Sequence, residues 1–162
     1  MYIKRKLTNE LAVYKSLRFA FKINQRSSLR YRTVVGIGGN IGDVRRRFDK
    51  LFYFFKKDIQ VELLQTSSIL KNPAFGYETQ DDFFNGLIVL QTSLEPLAFL
   101  KYLHRVEKKF ARKRSFANAP RSLDLDIIFF DNRIVKTDVL QIPHVDWFNR
   151  QSVIIPLMDL VK

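Results

Sequence analysis

The chain has 162 residues, 46% of them hydrophobic, with 15 Phe, no Cys and a formal net charge of +12. That length accommodates one domain with a sizeable core, and the lack of cysteine excludes disulfides, thiolate metal sites and cysteine nucleophiles. Two histidines, His104 and His144, are too few for a histidine-rich metal site; no apolar run approaches the length of a membrane span and none follows the basic start as a secretory signal requires, so the expected location is the cytoplasm.

The charge is uneven. Residues 1–32 hold nine basic residues against one acid, Glu10, which leaves +8 there and +4 in the remainder. Residues 1–31 are therefore set apart as a basic N-terminal extension, and 32–162 as a single domain. Asn9 is placed to cap a helix with Leu11, Tyr14, Leu17 and Phe21 as its apolar stripe. Three readings stand for this stretch: a helix packed on the body, an arm for an anionic partner, or a transit peptide. Any nucleic-acid footprint would have to lie here.

Residues 32–38 are rich in β-branched side chains and predict a strand. The glycines from Gly36 to Gly42 miss a dinucleotide fingerprint, since its third glycine would fall at Ile41; they read as a strand-to-helix turn needing positive φ. A helix follows, with Phe48, Leu51, Phe52 and Phe55 on its buried side. Residues 59–66 alternate as a second strand with an extension toward Leu70, and Asn72-Pro73 breaks it. The connection to Asp82 is long, as functional loops often are. Residues 85–92 form a third strand. Pro96 suits the first turn of a second helix, in which Leu97, Leu100, Leu103, Val106, Glu107 and Phe110 recur at helical spacing.

Residues 123–130 read as a buried strand interrupted by Asp124 and Asp126. At i and i+2 these carboxylates share one face, roughly 7 Å apart from the strand rise. Like charges that close repel unless a cation, a proton or a basic side chain intervenes. Mg²⁺ suits them, because it takes one or two carboxylates plus substrate phosphates; an exposed edge strand with two solvated carboxylates is the plainer alternative. Just upstream, residues 111–121 are basic and irregular. Arg112, Lys113, Arg114 and Arg121 beside a dicarboxylate face are what a polyphosphate–Mg²⁺ site needs, although a solvated charge run has the same composition. Asp131-Asn132 marks a turn, residues 140–144 lead into a short helical or irregular piece ending at Arg150, and an apolar run at 153–157 closes the chain. A lone His144 suits either a structural group or a ligand contact. The order strand–helix–strand–strand–helix–strand is the α+β, ferredoxin-like βαββαβ pattern, an antiparallel sheet with helices on one face. That fold hosts many functions.

Motifs over residues 34–160 narrow the choice. Gly36-Ile37-Gly38-Gly39-Asn40-Ile41-Gly42-Asp43, Gln80-Asp81-Asp82-Phe83-Phe84-Asn85, Pro120-Arg121-Ser122-Leu123-Asp124-Leu125-Asp126-Ile127, Ile142-Pro143-His144 with Arg150, and Pro156-Leu157 occur in this order. Together they resemble the 6-hydroxymethyl-7,8-dihydropterin pyrophosphokinase family of folate biosynthesis. The resemblance implies transfer of the two terminal phosphates of ATP to the pterin hydroxymethyl group, leaving AMP, with two Mg²⁺ ions on Asp124 and Asp126. It implies Arg112 and Arg121 as charge-stabilising catalytic groups. His104, Glu107, Arg114, Arg121, Ile127, Leu140, His144 and Arg150 would bind ATP. Asn72, Pro73, Phe75, Phe83 and Asn85 would bind the pterin. It further implies a monomer by default, with no nucleic-acid or membrane partner.

Departures from the family pattern are local. Ser152 stands where the family has an aromatic that stacks on the pterin, a contact worth about 0.5–1.5 kcal/mol, with Phe75, Trp147 and Phe148 as candidate replacements. Val145 replaces a tyrosine, Ala111 a glycine and Gly39 a serine, and 117–121 lacks the family's tryptophan and is one residue shorter. Two competing readings are a pterin- or nucleotide-binding pseudoenzyme and a nucleic-acid module, the latter without the aromatic strand signature it needs.

Overall fold

A computed structural model of the chain describes residues 1–74, 80–110 and 122–162. The β-branched run forms β3 (Tyr31–Gly39), flanked antiparallel by β6 (Phe83–Thr92) and β7 (Asp124–Phe130). The alternating stretch after the first helix forms two strands, β4 (Val61–Thr66) and β5 (Ile69–Asn72), where the sequence suggested one running on to Leu70. Ser67 separates them: its Oγ accepts from the Leu87 N–H at 2.8 Å, and its N–H donates to Leu87 O at 2.9 Å. Both strands pair with β6.

Helix α1 (Val44–Lys57) begins at Asp43, whose carboxylate accepts from the Arg46 N–H at 3.2 Å, and it buries Phe48, Leu51, Phe52 and Phe55 as its spacing predicts. Helix α2 (Pro96–Lys109) has Pro96 in its first turn, where the missing N–H costs nothing. Its buried side is Phe99, Tyr102, Leu103 and Val106; Leu97, taken from spacing as part of the apolar stripe, is 48% exposed. Both helices cover the sheet face that carries Val35, Ile37, Ile88, Leu90 and Ile127.

The expectation of helices on one face needs correction. The apolar closing run lies in α3 (Gln151–Leu160), which packs Val153 and Leu157 against Leu87, Ile128 and Val34. Those strand residues alternate with the ones under α1 and α2, so α3 covers the opposite face. A short continuous apolar run does not distinguish strand from helix by period. Between β7 and α3 come β8 (Val135–Lys136), β9 (Gln141–Ile142) and a single 3₁₀ turn at Trp147–Asn149.

The N-terminal helix is also absent. Residues 1–31 contain β1 (Ile3–Lys6) and β2 (Ala12–Lys15), an antiparallel hairpin whose second strand pairs with β5. Leu17, on the expected helical stripe, is 91% exposed, whereas the consecutive Ala12, Val13 and Tyr14 are buried. Burial of consecutive residues fits a strand covered on both faces, and β2 has neighbours along both edges. Strand pairing has overridden a helical pattern only four residues strong. The sheet runs β1-β2-β5-β6-β3-β7, with β4 also beside β6. Its outer strand β1 exposes Lys4, Arg5 and Lys6, charges that discourage edge-to-edge association. Among the described residues no helix is long and apolar enough to cross a membrane.

Asp159 ties α3 to the sheet. Its carboxylate accepts from the Ser68 N–H at 2.9 Å and lies 3.4 Å from Lys162 Nζ and 4.0 Å from Lys15 Nζ. Burial pushes its pKa up, but the Ser68 hydrogen bonds and the two lysines outweigh burial, and the net shift is downward. A depressed folded-state pKa adds stability above the ordinary carboxylate value, and this is lost as pH falls through the folded value. Asp159→Asn should therefore lower Tm at neutral pH by about 2–4 °C, the shift expected for roughly 1 kcal/mol in a domain this size. The gap to the parent should close in acid. Melting curves across pH test this, and a gap that persists in acid contradicts it.

Candidate active site

Gly36 and Gly38 lie inside β3, not in a turn. Among the described residues the only glycine with positive φ is Gly42, at +70°. The in-strand glycines are required by what surrounds them. Gly38 is the partner of Asn85 on β6 and of Asp124 on β7, while Gly36 is the partner of Leu87 and Asp126. Residues paired across strands share a face, so Asp124, Asp126, Asn85 and Leu87 all project on the side opposite α1 and α2. A Cβ on Gly38 would come within 2.7 Å of Asn85 Oδ1, and one on Gly36 within 3.2 Å of Ile128 Cδ1. The glycines thus give β3 a strip without side chains of its own, a shallow trough bordered by the two carboxylates, Asn85 and Ile128.

Asn85 is held from its other side: its Nδ2 donates to Asn72 Oδ1 at 2.7 Å, and Asn72 Nδ2 donates to Pro73 O at 3.0 Å. Phe83 is the strand partner of Asn72 and is half-buried. Four residues expected on the pterin side, Asn72, Pro73, Phe83 and Asn85, therefore meet where β5 and β6 run out together. The buried Asn40 donates through Nδ2 to Gln80 Oε1 at 2.7 Å and to Asp81 O at 3.1 Å. It joins two of the recurring motifs in space, a role that spacing alone did not suggest.

A cleft of about 310 Å³ runs along the outer edge of β7. His104, Ile127, Leu140 and His144, expected at the nucleotide, all line it, as does Asp126, expected at the metal, together with Leu100, Thr137 and Gln141, which were not anticipated. The edge strand makes this possible, because among the described residues no strand pairs beyond β7. His144 is held there by its own N–H, which donates to Ile128 O at 2.9 Å, and its Nδ1 is buried with no hydrogen-bond partner among the described residues. A buried imidazole nitrogen without a partner, on a residue that lines a cleft, is a polar group that calls for an explanation. Glu107 is not on the cleft wall. It is 2% exposed beneath β7, where its Oε2 accepts from the Leu125 N–H at 3.3 Å. Arg150 is exposed at the start of α3, also off the cleft wall. Phe75, Arg112, Arg114 and Arg121 lie outside the described residues.

Arg47 connects the glycine motif to the aspartate motif. Its guanidinium donates to Ile41 O at 2.7 Å and to Ser122 O at 2.9 Å. Burial lowers its pKa, with the Asp43 carboxylate opposing the shift. Ser122 Oγ in turn donates to Phe110 O at 3.1 Å, so the end of α2 and the approach to β7 are joined.

The donor set suits magnesium. Among the described residues no group of three or more His, Asp or Glu side chains converges, and the Asp124–Asp126 pair is a two-carboxylate donor set that could hold such an ion. Mg²⁺ is often held by one or two carboxylates and fills its octahedral shell with water and phosphate oxygens.

Residues 34–162 match the sequence profile of 7,8-dihydro-6-hydroxymethylpterin-pyrophosphokinase. The chain belongs to this family. A 2-amino-4-hydroxy-6-hydroxymethyldihydropteridine pyrophosphokinase of Campylobacter jejuni is 41% identical over 143 residues, 88% of this chain and 91% of the relative. The enzyme of that name from Helicobacter pylori is 36% identical over 86% of each chain, and that from Aquifex aeolicus 30% identical over 78% of each. The 143 residues aligned with the Campylobacter enzyme exceed the 129 of segment 34–162 by about 14, so that similarity reaches into the N-terminal extension. In the family's terms, Ser152 is half-buried in α3 and offers no ring to the trough. Trp147 packs edge-on against Phe129, with ring centroids 5.0 Å apart, and Phe148 is 59% exposed.

Proposed function

We propose that the trough and the cleft divide the two substrates of one reaction between them. The chain is a pyrophosphokinase of folate biosynthesis, transferring a pyrophosphoryl group from ATP to 6-hydroxymethyl-7,8-dihydropterin. The observation that carries the assignment of residues is the row Asp124–Gly38–Asn85, which sets a dicarboxylate beside a polar amide with a glycine gap between. In this reading the cleft along β7 takes the nucleotide, with His104, Ile127 and Leu140 along the adenosine and His144 toward phosphate or ribose. Arg150 and Arg114 neutralise phosphate charge. The Asn85 amide, fixed by Asn72, matches the donor–acceptor edge of the pterin, with Phe83, Pro73 and Phe75 beside the ring.

Asp124 and Asp126 would hold two Mg²⁺ ions against the triphosphate. When bound, Mg²⁺ neutralises charge on the transferring group and lowers the pKa of a coordinated hydroxyl. The chain's own share is positional: β7 presents both carboxylates from one rigid strand, the trough brings the pterin hydroxymethyl beside them, and Arg112 and Arg121 balance charge as the bridging bond breaks. The element order β3-α1-β4-β6-α2-β7, with β7-β3-β6-β4 as neighbours, supports the ferredoxin-like reading. The expected location remains the cytoplasm and the expected state a monomer without nucleic acid.

AMP release from ATP and Mg²⁺ with and without 6-hydroxymethyl-7,8-dihydropterin is the direct test. Pterin-dependent AMP, one for each pterin consumed, is expected. ATP that binds but yields no AMP with pterin present would mark a pseudoenzyme and overturn the transfer.

A further inference from the structure

We infer that the N-terminal hairpin β1–β2 is a positioning element for the pterin half of the site; this rests on the reading of Asn72 and Asn85 as the pterin edge. The hairpin lies ahead of the family match, yet it is built into the same sheet. One row of strand partners runs Val13–Leu70–Asn85–Gly38–Asp124. Partners in a row share a face, so Val13 stands in line with the two groups assigned to pterin and metal.

The lever is β5. It is four residues long and ends at Asn72, the residue that holds Asn85. Without β2 its outer edge would be unpaired, and a short edge strand is free to fray or slip in register. Three partner pairs, Ala12–Lys71, Val13–Leu70 and Tyr14–Ile69, fix that register up to the residue before Asn72. On the opposite face the hairpin reaches across β5 to β6. Tyr14 and Phe84 lie with ring centroids 5.9 Å apart, and the Arg45 guanidinium is 4.4 Å from the Tyr14 ring and 5.7 Å from that of Phe84. Phe84 sits between Phe83 and Asn85, so this contact acts on the β6 end of the trough. The ATP cleft lies along β7, at the other end of the sheet. A device on β5 should therefore be felt by one substrate and not the other.

The test compares Tyr14→Ala, Val13→Ala and Asn85→Ala in the full chain, reading KM for pterin and for ATP, Tm, and the Asn85 side-chain amide resonances. For the hairpin variants the pterin KM should rise about five- to tenfold with the ATP KM unchanged, and the Asn85 amide signals should move. A hairpin that only adds stability would lower Tm and leave both KM values and the Asn85 signals in place, which overturns the inference. So would a parallel rise in both KM values. If Tyr14→Ala does not fold, Val13→Ala decides, since it removes two methyl groups and no ring. Asn85→Ala separates the two layers. An unchanged pterin KM there refutes the pterin-edge reading and the inference with it; a raised one, with hairpin variants like the parent, refutes the inference alone.

Discussion

Replacing either Asp124 or Asp126 with alanine should reduce pterin-dependent AMP release by about 10³-fold or more while the protein stays folded, since losing a single preorganised electrostatic group already costs 10²–10³. Both carboxylates are half-buried on one face of β7, in register with Gly38 and Gly36 of β3. Each variant removes one of two like charges in neighbouring rows of the same face and takes no side chain from the apolar core. Leu123, Leu125 and Ile127, which anchor the strand to the core, are untouched. Initial rates of AMP formation and melting curves on the same preparations test both halves. Undiminished turnover would remove the carboxylates from the mechanism, and unfolding would make them structural.

Gly38→Ala should be the most selective lesion. Its new Cβ would sit 2.7 Å from Asn85 Oδ1, the tip of a side chain that can swing away. The cost in stability should stay near 1 kcal/mol, typical of a single substitution. Swinging away, however, pulls Asn85 off Asn72 and fills the trough. Pterin affinity should fall by about 10²-fold, combining a lost directional contact with steric exclusion, each worth roughly tenfold or more. ATP binding at the β7 edge should be unchanged. Titrations of each substrate, followed by fluorescence or calorimetry, check this, and equal losses for both would show that the trough does not separate them.

Much of this architecture is legible in the chain. The α1 phenylalanines, the aspartate pair of β7 and the strand-to-helix order follow from short periods and local chemistry, which neighbouring residues impose on one another. Asp43 capping α1 and Pro96 opening α2 are local events of the same kind. The motifs announced the family because each is a run of a few neighbouring residues, readable without knowing what it packs against.

Four features depended on distant partners. Gly36 and Gly38 fall within the predicted strand, but why they are glycine emerges only when β6 and β7 close on either side and leave no room for a Cβ. The stripe of Leu11, Tyr14, Leu17 and Phe21 reads as a helix, because nothing near it reveals that β5 has an edge to fill. Glu107 enters by resemblance as a nucleotide contact, and only packing shows its carboxylate beneath β7, accepting from the Leu125 N–H. The closing run at 153–157 has the apolarity of a strand and becomes a helix on the second face, since that face needed covering. Periodicity and caps are written within a few residues; strand order, the face a side chain meets and the space a glycine leaves are set by segments up to a hundred residues apart, and only packing brings them together.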